Sequence, residues 1–447
     1  MAKRSSNAAW TEAHVRRLFW RAGFGATPEE AKRWAAAGKG ATLDWLVDSR
    51  SKKLVGPTPR VEGRALDPGN EWGHDVLWWL DRMVRSQRPL DEKLTLFWHD
   101  HFATTDQETP LMLRQNQLLR SRGLGRFPDL LRGVTTDWAM QLFLSLTDST
   151  KEAPNENFAR ELMELFTLGG GYGERDVREA ARALTGFEGT WGNNGLKRIR
   201  YNPERHDSGV KRILGKRGRF DWNDVLDLVV AHPRHAPFLV SKLWGFFVAE
   251  PPSKAKVKAL ARVYRGAGLK VKPVVRAILG DGALYADLDG PDMVKAPIVF
   301  VAGSLRTTGR GVDTDAWVWL MDGMGQLLFR PPSVAGWDWG PAWMSSNTMR
   351  TRFQAANYFA QLPGITVPEG GGNPDAKPDQ QLATALRATG EPWISSATRA
   401  SLTGLAARFF DDLNEEWELG EPRQTRADHL QRVLRHLLLA GPDAHLH

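Results

Sequence analysis

The sequence predicts a mainly α protein, a multi-helix orthogonal bundle with one small basic β-hairpin excursion. Three observations carry that reading. Apolar residues recur at helical spacing through more than a dozen segments, strand patterns are scarce, and the 447 residues have ordinary globular composition, 42% hydrophobic and 25% charged. A chain of this length buries a sizeable core without staples, and it contains no cysteine, so disulfides, thiolate nucleophiles and Cys-ligated metals are excluded.

In chain order, Thr27-Pro28-Glu29-Glu30 reads as an N-cap, a proline at the first helical position and a capping-box glutamate, with Gly38 as the stop. Helical spacing then predicts helices near 73–87, 90–105, 107–121, 137–145, 156–168, 174–185, 222–231, 235–249, 253–266, 271–280, 314–328, 396–412 and 425–440. The best strand signal is a hairpin in which Ile199, Tyr201, Val210 and Ile213 flank the turn residues Asn202-Pro203 and Ser208-Gly209. Proline and glycine content marks 363–378 as a linker. The expected organisation is therefore a main helical domain, 1–362, that linker, and a C-terminal helical segment, 379–447, packed on the main domain.

Net charge is +8, but nine basic and two acidic residues fall between Lys197 and Arg219, leaving the remainder nearly neutral. A groove-sized basic surface is not indicated, which argues against nucleic acid as the partner. No apolar run is long enough to span a membrane. Behind the basic amino terminus, Glu12, His14, Arg16 and Arg17 interrupt any apolar core, which predicts a cytoplasmic chain as written, with export alongside a partner as the alternative.

Four segments carry the candidate chemistry. In Asn155-Glu-Asn-Phe-Ala-Arg-Glu-Leu-Met-Glu164, a helix places Asn157, Arg160, Glu161 and Glu164 on one face, so two carboxylates lie beside a guanidinium. Such a set serves acid–base work or hard-metal ligation, or is an ordinary solvated face with an Arg160–Glu164 pair. In Trp98-His-Asp-His-Phe102, residues two apart on a helix diverge by about 200°, so His99 and His101 cannot share one ion on a continuing helix. A half-buried structural histidine is the competing reading.

His206-Asp207 lies in the basic stretch with Lys211 close behind, suited to anion binding or proton shuttling, or else a solvated turn. The loop Arg330-Pro-Pro-Ser-Val-Ala-Gly-Trp337-Asp-Trp339 offers Trp337 and Trp339 as walls for a flat ligand or as core plugs. Walker, nucleophile-elbow, His-Glu-x-x-His and dinucleotide fingerprints are absent.

These segments in order, from Ala13-His-Val-Arg-Arg-Leu-Phe-Trp-Arg-Ala-Gly-Phe-Gly25 through Asp176-Val-Arg-Glu-Ala-Ala-Arg182 and Lys242-Leu-Trp244 to Pro331-Pro-Ser-Val-Ala-Gly-Trp337, resemble an uncharacterised bacterial family catalogued as domain of unknown function 1800. The resemblance covers about 10 to 355 and implies a helical fold and a site assembled from these segments, without an activity. It also implies a sulfatase-like protein as partner, and export signals in many members, a feature this chain departs from.

Two functional expectations follow. The first is a hydrolase acting on a polar or anionic substrate. Glu161, Glu164, His99, His206 and Asp207 supply acid–base or ligand groups, Asn155, Asn157, Arg160, Arg182 and Lys211 hold the substrate, and Trp337 and Trp339 form walls. Any metal there takes His and carboxylate ligands only, and neither metal nor other cofactor is identified. The alternative is a non-catalytic partner or escort of a sulfatase-like enzyme.

Overall fold

A computed structural model describes residues 9–48, 51, 53–56, 58–105, 107–192, 195–361, 372–409 and 423–447. It opens with α1 (Glu12–Ala22), α2 (Pro28–Asp48), a two-residue ribbon of β1 (Arg60–Val61) and β2 (Arg64–Ala65), and α3 (His74–Arg85). Next come α4 (Pro89–His101), α5 (Thr109–Arg122), α6 (Phe127–Thr135), α7 (Trp138–Phe143), α8 (Asn157–Glu161), a π-helical segment (Leu162–Leu168) and α9 (Glu174–Ala183). Two small ribbons follow, β3 (Phe187–Gly192) with β4 (Gly195–Tyr201) and β5 (Lys211–Ile213) with β6 (Lys216–Gly218).

The chain continues as α10 (Trp222–Ala231), α11 (His235–Phe247), α12 (Lys254–Gly266), α13 (Val271–Leu279), α14 (Pro297–Thr307), α15 (Ala316–Gly323) and α16 (Ser346–Gln361). It finishes with α17 (Pro378–Ala388), α18 (Ser396–Arg408) and α19 (Arg423–Ala440). Nineteen α-helices and three two-stranded antiparallel ribbons among the described residues make the protein mainly α, as the periodicity predicts.

Contacts divide the chain into two compact units. The first comprises Met1–Leu90, Gly280–Leu328 and Asp338–His447, and the second comprises Asp91–Leu279 and Phe329–Trp337. Most of the expected linker lies outside the described residues, and the helices after it belong to the first unit. There α17, α18 and α19 close on their own apolar cluster of Leu382, Ala385, Leu386, Leu402, Leu430, Leu434 and Leu438. In the second unit the core is aromatic: Trp98 stacks on Phe102, which meets Phe127 and Phe166.

Local chemistry explains most boundaries. The Thr27–Glu30 capping box forms in both directions, with Thr27 N–H donating to Glu30 at 3.0 Å and Glu30 N–H to Thr27 Oγ1 at 3.2 Å. Gly38 does not stop that helix. It kinks at φ 82°, and the hydroxyl of Thr42 bonds the Gly38 carbonyl at 2.8 Å, so a second helical stretch continues to Asp48. The expected single hairpin across 199–213 is also corrected. Tyr201 pairs with Phe187 and Ile213 with Lys216, so the residues at 202–210 join two separate ribbons and are not a hairpin tip. Turn residues mark a reversal but not its partner, and Phe187 and Lys216 offered no comparable signal.

Helical spacing assigns no individual helix at α1, α6, α14, α16 or α17. The stretch of α14 is apolar on all sides, with every residue from Pro297 to Leu305 buried, so it has no amphipathic period to detect.

Candidate functional site

The Asn155–Glu164 segment begins with an Asx turn, in which Asn155 Oδ1 accepts from Asn157 N–H at 2.9 Å and Asn155 N–H donates to Ser149 Oγ at 3.0 Å. The continuous α-helix expected over 156–168 is replaced after Glu161 by the π-helical segment. Asn157 and Glu164 are exposed, and Arg160 and Glu161 are half-buried. Arg160 does not pair with Glu164. It bonds Glu156 at 3.0 Å and grips Glu174, at the start of α9, with two bonds of 2.9 Å. That fork raises the Arg160 pKa and lowers that of Glu174.

Glu164 instead accepts from the hydroxyl of Tyr172 at 3.1 Å, and burial together with this bond pushes the tyrosine up to about 12. The carboxyl of Glu161 is raised by burial and by the negative charge of Glu164, against the pull of Arg160. A raised pKa suits the Glu161 carboxyl to hold a proton for donation.

Both histidines of the Trp98–Phe102 segment are buried. His101 donates from Nε2 to the carbonyl of Phe166 at 3.0 Å, while its Nδ1 has no hydrogen-bond partner among the described residues. His99 accepts at Nε2 from Phe329 N–H at 3.2 Å. Burial lowers both, His99 to about 3 and His101 well below the ordinary value, so both rings are neutral near pH 7.

His101 is one of several side chains that satisfy the π-helical carbonyls. From α11, His235 donates through Nδ1 to the carbonyl of Thr167 at 3.2 Å, and Lys242 Nζ donates to that of Leu165 at 3.3 Å. The other nitrogen of His235 accepts from Tyr264 at 3.0 Å, which fixes the tautomer.

At the far end of α9, Arg182 holds Asp207 by two bonds, 2.7 and 3.2 Å, and bonds Glu179 at 3.1 Å. Burial favours the neutral acid of Asp207, but Arg182, the Gly209 amide and Lys211 outweigh it and hold the carboxyl below its ordinary value. Lys211 is buried, and its ammonium donates to the carbonyls of Asp207, Gly209 (3.1 Å) and Phe220 (2.9 Å). All three of its donors are engaged. His206 Nδ1 donates to the carbonyl of Thr185 at 3.1 Å.

In the 330–339 loop, Asp100 Oδ1 accepts from Trp337 N–H at 2.8 Å. Gly336 makes this approach possible: its φ is +85°, and a Cβ there would lie 2.3 Å from Asp100 Oδ1. Trp337 is 6% exposed and packs 5.6 Å from the ring of His99, so it plugs the core and offers a ligand no face. Trp339 belongs to the first unit and rests against Trp343.

The predicted residues thus fall into separate groups. Arg160, Glu161, Glu164 and Tyr172 share one surface, whereas Arg182, Asp207 and Lys211 form a clamp eight residues, about 12 Å, farther along α9. His99 with Trp337, and His101 with the π-helical segment, are internal. Among the described residues no three His, Asp or Glu side chains are placed to hold a metal ion. Tyr172, His235 and Tyr264 escaped the sequence reading because their partners lie on other elements and no local spacing announces them.

Among the described residues no helix is long and apolar enough to cross a membrane. Neither the curated proteins nor the solved structures contain a match to the chain. A family model described as "Protein of unknown function (DUF1800)" matches residues 17–446, nearly the whole chain. On that match, which spans nearly the whole sequence, the chain belongs to the DUF1800 family.

Proposed function

We propose that the chain is a non-catalytic partner of another protein, recognised through the exposed polar face of Asn157, Arg160, Glu161, Glu164 and Tyr172. One observation supports this over the hydrolase reading. Three of the groups assigned to proton transfer and anion binding are already engaged inside the fold: His99 by Phe329, Lys211 by three carbonyls and Arg182 by Asp207 and Glu179. A general acid or base has to reach a substrate proton, and a buried, internally bonded imidazole does not. A sulfatase-like enzyme, the class implied by the family resemblance, is the first partner to test.

Co-purification with such a protein is the experiment. Arg160→Glu should abolish capture while leaving the fold intact, because the side chain is half-exposed and its ion pairs are of the weak surface kind. Glu161→Gln with Glu164→Gln should leave the partner's catalytic rate unchanged. Hydrolysis by the isolated chain that disappears in this double variant would sink the proposal. The raised carboxyl of Glu161 beside Glu164 favours that second reading, an acid–base pair on the surface.

A further inference from the structure

A cavity of about 500 Å³ opens within the first unit, and its walls include Arg16, Trp20, Lys295, Arg387, Trp393 and Arg399. This is the size of a small-molecule site, and none of the candidate catalytic or substrate-binding residues of the sequence lines it. Lys295 precedes α14 and is 6% exposed. Its ammonium donates to the carbonyl of Ala444 at 2.8 Å and lies 3.9 Å from the centre of the Trp20 ring; Glu12, Glu391 and Asp443 also line the cavity, but among the described residues no carboxylate pairs with Lys295.

Arg352 packs behind it, fully buried. One guanidinium nitrogen donates to the Lys295 carbonyl at 2.8 Å, and Nε and Nη1 have no hydrogen-bond partner among the described residues. Two adjacent buried basic groups thus lack a counter-charge among the described residues, an arrangement that burial penalises unless something supplies one. Burial and the neighbouring Arg352 lower Lys295 to about 7. Near the mouth Arg16 pairs with Glu391 at 2.5 Å, whereas the exposed Arg387 and Arg399 pair with no carboxylate among the described residues.

We propose that this cavity binds a small organic anion, a carboxylate or phosphate ester on an apolar body, with the anionic group against Lys295 and the mouth arginines and the body along Trp20 and Trp393. The ligand supplies the charge the interior lacks, and the indoles supply contact area.

Isothermal titration calorimetry of the full chain with phenyl phosphate, benzoate and neutral benzyl alcohol tests it. At least one of the two anions should bind at one site per chain, and the alcohol should not bind detectably; which anion binds more tightly separates the phosphate from the carboxylate class. Lys295→Met should weaken anion binding about tenfold or more and Arg399→Gln by a smaller factor, as expected for losing one charge-assisted contact. Lys242→Met, in the second unit, should change nothing. Equal affinity for alcohol and anions, no binding of either anion, or anion affinity unaffected by both Lys295→Met and Arg399→Gln overturns the proposal. Should Lys295→Met fail to fold, the exposed Arg399→Gln decides alone.

Discussion

Lys211 shows how differently one residue reads in sequence and in structure. In sequence it is one of nine cations in a short basic stretch and a natural anion ligand. In the fold, its ammonium ties together the carbonyls of Asp207, Gly209 and Phe220. Replacing it by methionine keeps the stem but leaves three carbonyls without their donor. We expect Lys211→Met to destabilise the second unit by about 2–4 kcal/mol, read as a lowered urea midpoint with unchanged slope. An unchanged midpoint would show that the cation is dispensable to the fold and available to a ligand after all. Residue type and spacing made the Arg182–Asp207–Lys211 group visible as a cluster. They could not say whether its charges face solvent or close on one another, because that depends on where the carbonyls of 207, 209 and 220 point.

At the scale of elements, the π-helical segment organises the second unit. Its carbonyls at 165–167 fall in the last turn, where no intrahelical amide follows to bond them, and α4 and α11 supply His101, His235 and Lys242 to that row. His235→Phe preserves the ring volume but leaves the Thr167 carbonyl and the Tyr264 hydroxyl unmatched in the interior. It should cost about 1–3 kcal/mol in thermal or urea unfolding, and a Tyr264→Phe background should recover part of that loss. Helical spacing located the Asn155–Leu168 element and its exposed side correctly. It missed the change of helix type, since Leu162–Leu168 contains no proline or glycine to signal one and the glycines that follow at 169–171 mark only the end of the helix. The two histidines at 99 and 101 do point apart, as their spacing requires, and each finds a different backbone group.

For the whole molecule, buried neutral histidines set the response to acid. His99, held near 3, and His235, held near 4, remain unprotonated in the fold but take up protons near 6.5 once unfolded, and His101 behaves alike. Their stabilisation is complete above pH 6.5 and is lost as pH falls toward the folded values, at about 1.4 kcal/mol per pH unit for each ring. The urea midpoint should therefore drop steeply between pH 6.5 and 4.5, and His99→Gln should shallow that slope. A midpoint flat across this range would contradict the neutral assignment. Globally, helical class was legible because most helices carry an amphipathic stripe, whereas the division into units was not. The first unit is assembled from three stretches far apart in sequence, and an all-apolar helix such as α14 has no period to read.

An i→i+5 turn also holds about one residue more than an α-turn, so the chain on either side of 162–168 is out of phase by about 100°. A relative one residue shorter between 162 and 168 could keep an unbroken helix and an identical hydrophobic composition, yet its carbonyls would turn away from the rings of His101 and His235. When relatives are aligned, a single-residue gap here separates chains that keep this docking from chains that have lost it, even where both histidines are present.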